Sequence, residues 1–161
     1  MMLVAAMNPH RERGEHRLNE LERERLKKKL SGPVVDRIDM WLEVSHIPHE
    51  LLQVREGGGE KESPRVRERV VQARARQRER FGVAGKTNAD MTVRDIDTHV
   101  HLTPSAEKIL MVSAEKLHLS PRSYHRTIKL ARTIADLADS EYIEDGHVLE
   151  ALTYRPKGLF E

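Results

Sequence analysis

The sequence predicts a mainly α-helical protein, a helical bundle over residues 63–161 preceded by two short strands. Three observations predict it. At Ser63-Pro64, Thr103-Pro104 and Ser120-Pro121 a hydroxyl residue stands directly before a proline, which supplies an N-cap and then a residue whose missing N–H costs nothing at the first helical position. The segments after the last two pairs, "SAEKILMVSAEKL" and "RSYHRTIKLARTIADLA", repeat apolar residues three and four apart. Two apolar runs of strand length, "MMLVAAM" and "MWLEV", lie in the first part of the chain.

The first run reads as a central strand covered on both faces, and Asn8-Pro9 breaks it. It lacks the charged leader and small-residue cleavage site of a secretory signal. So abrupt a start points to the back part of something larger, or to a reduced relative of it. Residues 18–30, "LNELERERLKKKL", place Leu18, Leu21 and Leu26 on a helical period with charges between, an amphipathic surface helix. Ser31-Gly32-Pro33 ends it. After "VVDRID" comes the second strand, which closes at Pro48, and Gly57, Gly58 and Gly59 form a flexible connector. The expected division is therefore residues 1–56, a linker over 57–62, and a helical part over 63–161. Within that part Asp145 is placed to cap a final short helix through "HVLEALTYR", giving three or four helices in all.

Composition narrows the function. Of 161 residues, 34% are charged and 4% aromatic, and no apolar run is long enough for a bilayer. The 28 basic and 26 acidic residues nearly cancel to a net +2, so any contact with a polyanion has to come from local clustering. With no cysteine there is neither a disulfide framework nor a thiolate zinc site, which suits a reducing cytosol.

Several motifs invite a site. Gly85-Lys86-Thr87 ends as a phosphate-binding P-loop ends, but the position of the required first glycine is held by Arg80, and a helical pattern precedes it where a strand is needed. His99 and His101 lack a third metal ligand in nearby sequence, so no metal site is expected. Asp36 and Asp39 flank Arg37 as in an ion-paired turn. The helix carrying Arg65, Arg67, Arg69, Arg74, Arg76, Arg78 and Arg80 reads first as a solvated face, because Glu62, Glu68 and Glu79 are interspersed and no stacking aromatic accompanies it. Contact with a phosphate backbone is the other reading. Three polar residues at element ends remain: Asn8 after a strand, Arg37 before a strand, and Arg122 in the first turn of a helix. A cation at a helix N-terminus opposes the macrodipole, so Arg122 is either a plain surface residue tolerated at about a few tenths of a kcal/mol or one side of an anion site.

The stretches "LVAAMNP", "SGPVVDRIDMWLEV", "LSPRSYHRTIKLARTIADL" and "HVLEALTYRP" resemble, in order, the C-terminal part of the magnesium-chelatase ChlI-like AAA+ ATPases, most closely their ComM (YifB) branch. The resemblance covers most of the chain. It implies that Asn8 ends the sensor-1 strand and orients the attacking water. It makes Arg37 the arginine finger offered to the neighbouring subunit and Arg122 the sensor-2 arginine. The helices after the glycines become the lid, and residues 1–56, with the two strands, the C-terminal remnant of the AAA+ α/β core. It also makes "GKTNADM" a lid connector. The chain departs from the branch in having "HRERGEHR" where a cysteine-rich segment usually follows the asparagine. The P-loop and the acidic Walker-B strand would lie before residue 1, so ATP and magnesium are expected only in a complete ring, with none bound by this chain alone. The implied partners are further AAA+ subunits and, for this branch, DNA, in the cytoplasm and with no membrane. The rival expectation is a non-enzymatic helical module that docks on DNA or on an ATPase ring.

Overall fold

The computed structural model describes residues 3–6, 34, 37–42, 44 and 62–156. Two compact units are distinguished, Met1–Ile38 with Pro156–Glu161, and Asp39–Arg155. In the first, Arg37 N–H donates to the Val34 carbonyl at 3.0 Å and closes a turn. Residues 3–6 carry no strand, and Leu3 and Val4 are 75% and 79% exposed. Residues 40–42 and 44, from the second strand expectation, likewise carry none. The physical reason is the same for both: an apolar run becomes a strand only when a neighbour completes its hydrogen-bond ladder, and among the described residues neither run has one. Asn8, the helix expected over 18–30 and the glycines 57–59 lie outside the described residues.

The second unit is helical, as the sequence predicts. It contains α1 (Glu62–Phe81), a 3-10 turn (Asn88–Asp90), α2 (Val93–His99), α3 (Pro104–Lys116), α4 (Pro121–Leu137) and α5 (Asp145–Thr153). The caps explain most starts. Thr103 Oγ1 accepts from Ala106 N–H at 3.3 Å, and Ser120 Oγ from Ser123 N–H at 3.2 Å, each with proline at the first helical position. At α1 the helix already includes Glu62 and Ser63, so Pro64 sits inside the first turn, where its absent donor would have had no partner either. The seven-residue α2 exists through a reciprocal cap: Asp95 N–H donates to Thr92 Oγ1 at 3.2 Å and Thr92 N–H to the Asp95 carboxylate at 2.8 Å. For α5 the cap position falls on Glu144, whose N–H donates to His147 Nδ1 at 3.0 Å, while Asp145 accepts from Ser105 Oγ at 2.6 Å and so ties the starts of α3 and α5 together.

The core is one cluster, built from Met91, Ile96, Val100, Ala106, Leu110, Ile128, Ala131, Ile134, Ala135, Ile143, Val148 and Ala151. Helix α4 lies at its centre and packs on α5, α1, α2 and the 3-10 turn. A parallel bridge between Leu102 and Ile143 joins the connections that lead into α3 and α5. Ahead of α1, Trp41 N–H donates to the Tyr154 carbonyl at 2.8 Å, just past the end of α5. Helix α1 buries only Ala73 and Gln77, and Val66 and Val70, toward its N-terminus, are exposed. Among the described residues no helix is long and apolar enough to cross a membrane.

Candidate functional site

The N-terminus of α4 is built by Ser120, Pro121 and the cap just described, which leaves Arg122 as its second residue, exposed to solvent. No acidic residue stands in that first turn. Tyr124 and His125 meet edge to face at 5.9 Å between ring centroids, and burial, with the charge of Glu107 behind it, pushes the Tyr124 hydroxyl above its ordinary range. An exposed guanidinium beside a helix N-terminus is a geometry that receives an anion. Arg37 is also exposed, in the turn closed on Val34, and belongs to the other compact unit. Asn8 lies outside the described residues.

The Gly-Lys-Thr segment links a helix to a 3-10 turn, not a strand to a helix. It follows the last turn of α1, and Gly82 and Gly85 take φ values of +61° and +87°, which reverse the chain into the 3-10 turn. Lys86 Nζ is 2.8 Å from Asp95 Oδ1 and 5.0 Å from the centre of the Phe81 ring. Thr87 donates from both N–H, at 3.0 Å, and Oγ1, at 2.8 Å, to the Asp90 carboxylate. The hydrogen bonds from Lys86, then from Thr92, hold the Asp95 carboxyl well below the usual carboxylate range, and Thr87 does the same for Asp90. The lysine and threonine of the motif are thus engaged in shaping a connector. His101 is exposed in the connector and lies 6.4 Å from Tyr142, whereas His99 ends α2 half-buried and packs edge-on against Phe81 at 5.6 Å. Among the described residues no three His, Cys, Asp or Glu side chains gather as metal ligands would.

The principal polar assembly was not singled out from the sequence. Asp136 and Arg132, 2% and 1% exposed, are buried four residues apart on the inner face of α4. Arg80 from α1 donates to both Asp136 oxygens, Asn88 Nδ2 donates to Oδ2 at 2.7 Å, and Arg132 Nε donates to Oδ1 at 3.1 Å. Arg132 spends its remaining donors on the carbonyls of Glu141 and Ser140, each at 2.6 Å. Burial alone would raise the Asp136 carboxyl, but the bonds from Arg80 and Asn88 and the charge of Arg132 outweigh it and hold it below the carboxylate range. Two more arginines of α1 act beside it. Arg69 donates to the Leu137 carbonyl, and Arg76 to the Asp139 carbonyl and carboxylate, so cations stand at the negative end of α4. A signal existed: residues 128, 131, 132, 135 and 136 fall on one helical stripe, which puts an arginine and an aspartate on the apolar face.

This helical body coincides with a known one. Residues 60–155 match the family described as Magnesium chelatase, subunit ChlI C-terminal, and residues 1–52 match Magnesium chelatase, subunit ChlI. The chain belongs to the magnesium chelatase ChlI family. That family is of the AAA+ ATPase kind, and helices α1 to α5 make up the helical lid. Among ChlI-family relatives, the chain is 40% identical over 157 residues to Competence protein ComM of Haemophilus influenzae, covering 95% of this chain and 30% of the relative. It is 36% identical to YifB of Escherichia coli and 35% identical to YifB of Salmonella typhimurium, with the same coverage. The chain thus spans about 30% of the length of the curated relatives it matches.

Proposed function

We propose that this chain supplies the sensor and lid part of a ring-forming AAA+ ATPase that works on DNA in the cytoplasm. The observation that carries the reading is Arg122, exposed at the capped N-terminus of α4 inside the segment that matches the ChlI C-terminal family. Such a helix end, with its cation and no acid in the first turn, suits a terminal phosphate. Magnesium-bound ATP would supply the phosphoryl group, held by a P-loop and an acidic strand that this sequence does not contain. Arg122 binds the phosphate end of the nucleotide from the lid. Asn8 orients water. Arg37, exposed on its turn, stabilises negative charge at the nucleotide of the adjacent subunit. A finger that acts on the neighbour requires further AAA+ subunits as partners.

The test uses a full-length relative that carries the equivalent substitutions. Subunits with Arg37→Ala are mixed with subunits whose P-loop is disabled, and ATP turnover should partly recover, because each supplies at a mixed interface what the other lacks. An arginine finger is worth on the order of a thousandfold in rate, so recovery is easily seen. Arg122→Ala mixed with the P-loop mutant should not recover, since both defects lie on the nucleotide-holding side. If the two mixtures behave alike, Arg37 is not a finger and a binding module without ATPase chemistry is the better reading.

A further inference from the structure

Helix α1 holds seven arginines and no lysine, and the structure divides them. Arg69, Arg76 and Arg80 are spent on α4 and the turn behind it, and Arg65 lies on their side of the helix, three residues from Glu62 and from Glu68. Arg67, Arg74 and Arg78 are exposed, and at about 100° per residue they fall within about 40° of arc on the side away from those three, along about 16 Å of helix. None of the three has an acidic residue at i±3 or i±4, and none is in an ion pair among the described residues. Glu68 and Glu79, interspersed in sequence, stand about a quarter of a turn or more off the stripe. Arg74 and Arg78, four apart, repel one another at a local cost of about a few tenths of a kcal/mol, and among the described residues Arg78 has only the Arg74 carbonyl, at 3.5 Å, to receive its Nε–H.

We propose that this stripe docks on the phosphate backbone of double-stranded DNA. The proposal deepens the reading of an ATPase that works on DNA and rests on it for the partner, but it uses neither Arg37 nor Arg122. Three guanidiniums in line, with no counter-charge among the described residues, match a continuous anion, and duplex DNA presents a charge roughly every 1.7 Å, so contact needs no special register. An acidic protein helix would have to place its carboxylates at matching intervals. The stripe offers no aromatic ring, because Phe81 at the end of α1 is engaged with His99, and unstacked single strands are held largely by such rings. Between Arg67 and Arg78 the helix contains no Ser, Thr or Asn, Gln77 is buried, and the exposed Gln72 stands about a third of a turn off the stripe, which leaves little to read the 2′-hydroxyls of an RNA duplex. The contact is therefore sequence-independent, and Arg supplies two parallel donors to each phosphate.

The experiment is fluorescence anisotropy with the whole chain, no nucleotide, and a labelled DNA duplex of about two helical turns, titrated from low to moderate salt. The combined Arg67→Gln, Arg74→Gln, Arg78→Gln variant should bind at least about tenfold more weakly, and its slope of log K against log salt should flatten by about 2 to 3, as expected for three lost phosphate contacts. A charge-matched control with Arg94→Gln, Lys108→Gln and Lys116→Gln, all exposed elsewhere on the lid, should keep most of the affinity and the slope. Thermal melts of both variants should match the parent. The proposal is overturned if the parent does not bind the duplex, if the two variants lose equally, or if polyglutamate competes as well as DNA at equal charge. Because ATP plays no part, this outcome is independent of the mixed-subunit test.

Discussion

Arg80 and Asp136, 56 residues apart in sequence, meet as a two-pronged ion pair in which Nη1 reaches Oδ2 at 2.9 Å and Nη2 reaches Oδ1 at 2.5 Å. The carboxylate has no exposed side-chain surface, and Arg132 and Asn88 take its remaining acceptor positions. The junction joins α1, the 3-10 turn and α4. A satisfied buried pair adds little net stability over an apolar replacement, but a broken one is costly, because the charge left behind stays buried.

Asp136→Ala is therefore expected to destabilise the lid by about 3–5 kcal/mol, since it strands the Arg132 guanidinium. Arg80→Lys keeps the charge and loses the second prong, and should cost less, about 1.5–3 kcal/mol. Urea denaturation followed by circular dichroism measures both. Equal losses for the two would argue against the two-pronged geometry.

Acid should act through the same groups. Asp136, Asp95 and Asp90 all have carboxyls lowered from the ordinary value of 3.8, so their contribution is complete above that value and fades as pH falls through the lower folded values. The urea midpoint should carry no dependence from them between neutral pH and about pH 5, then decline below about pH 4. Asp136→Asn should make that acid limb shallower. An unchanged limb would mean that Asp136 does not titrate with unfolding.

The Gly-Lys-Thr segment gives a third expectation. The Lys86–Asp95 pair is partly exposed, and pairs of that kind contribute about 0–1 kcal/mol. Lys86→Ala should shift the melt by no more than that, and calorimetric titration of the whole chain with magnesium-ATP should show no micromolar binding for it to abolish. Micromolar affinity lost on Lys86→Ala would restore the P-loop reading.

A fourth concerns autonomy. Every member of the core cluster lies between Met91 and Ala151, and α1 and the 3-10 turn add Ala73, Gln77, Arg80, Phe81 and Asn88 on the N-terminal side. A chain trimmed to residues 62–156 should accordingly melt cooperatively by far-UV circular dichroism. A broad, sloping melt would show that residues ahead of α1 complete the fold.

The elements that could be read from sequence are those whose cause is local. The caps at Thr103 and Ser120 and the period of α3 and α4 depend on residues within a few positions, and the structure has them where the sequence places them. Short α2 escaped separate notice because its signal, Thr92 with Asp95, is a single reciprocal cap with little periodicity behind it. The strand expectations over residues 1–7 and 40–44 depend on partners far away, and apolar length alone cannot supply them. The junction failed to announce itself for a related reason. Arg80 looks like its six neighbouring arginines in one dimension, and only the crossing of α1 with α4 separates those that build the lid from those that face water. The place of Arg122 in the first turn of α4 was legible because Ser120 and Pro121 fix where that helix starts.

Trp41, whose backbone is bonded to Tyr154, is the only tryptophan in the chain. Its emission consequently comes from one place, beside the far end of α5, while the ellipticity of the chain is dominated by helices elsewhere. The molecule thus carries a built-in optical probe of that attachment. A red shift of the indole spectrum that precedes the loss of helical signal would mark release of the segment around Trp41 from α5 as a separate step, observable without a dye or a label.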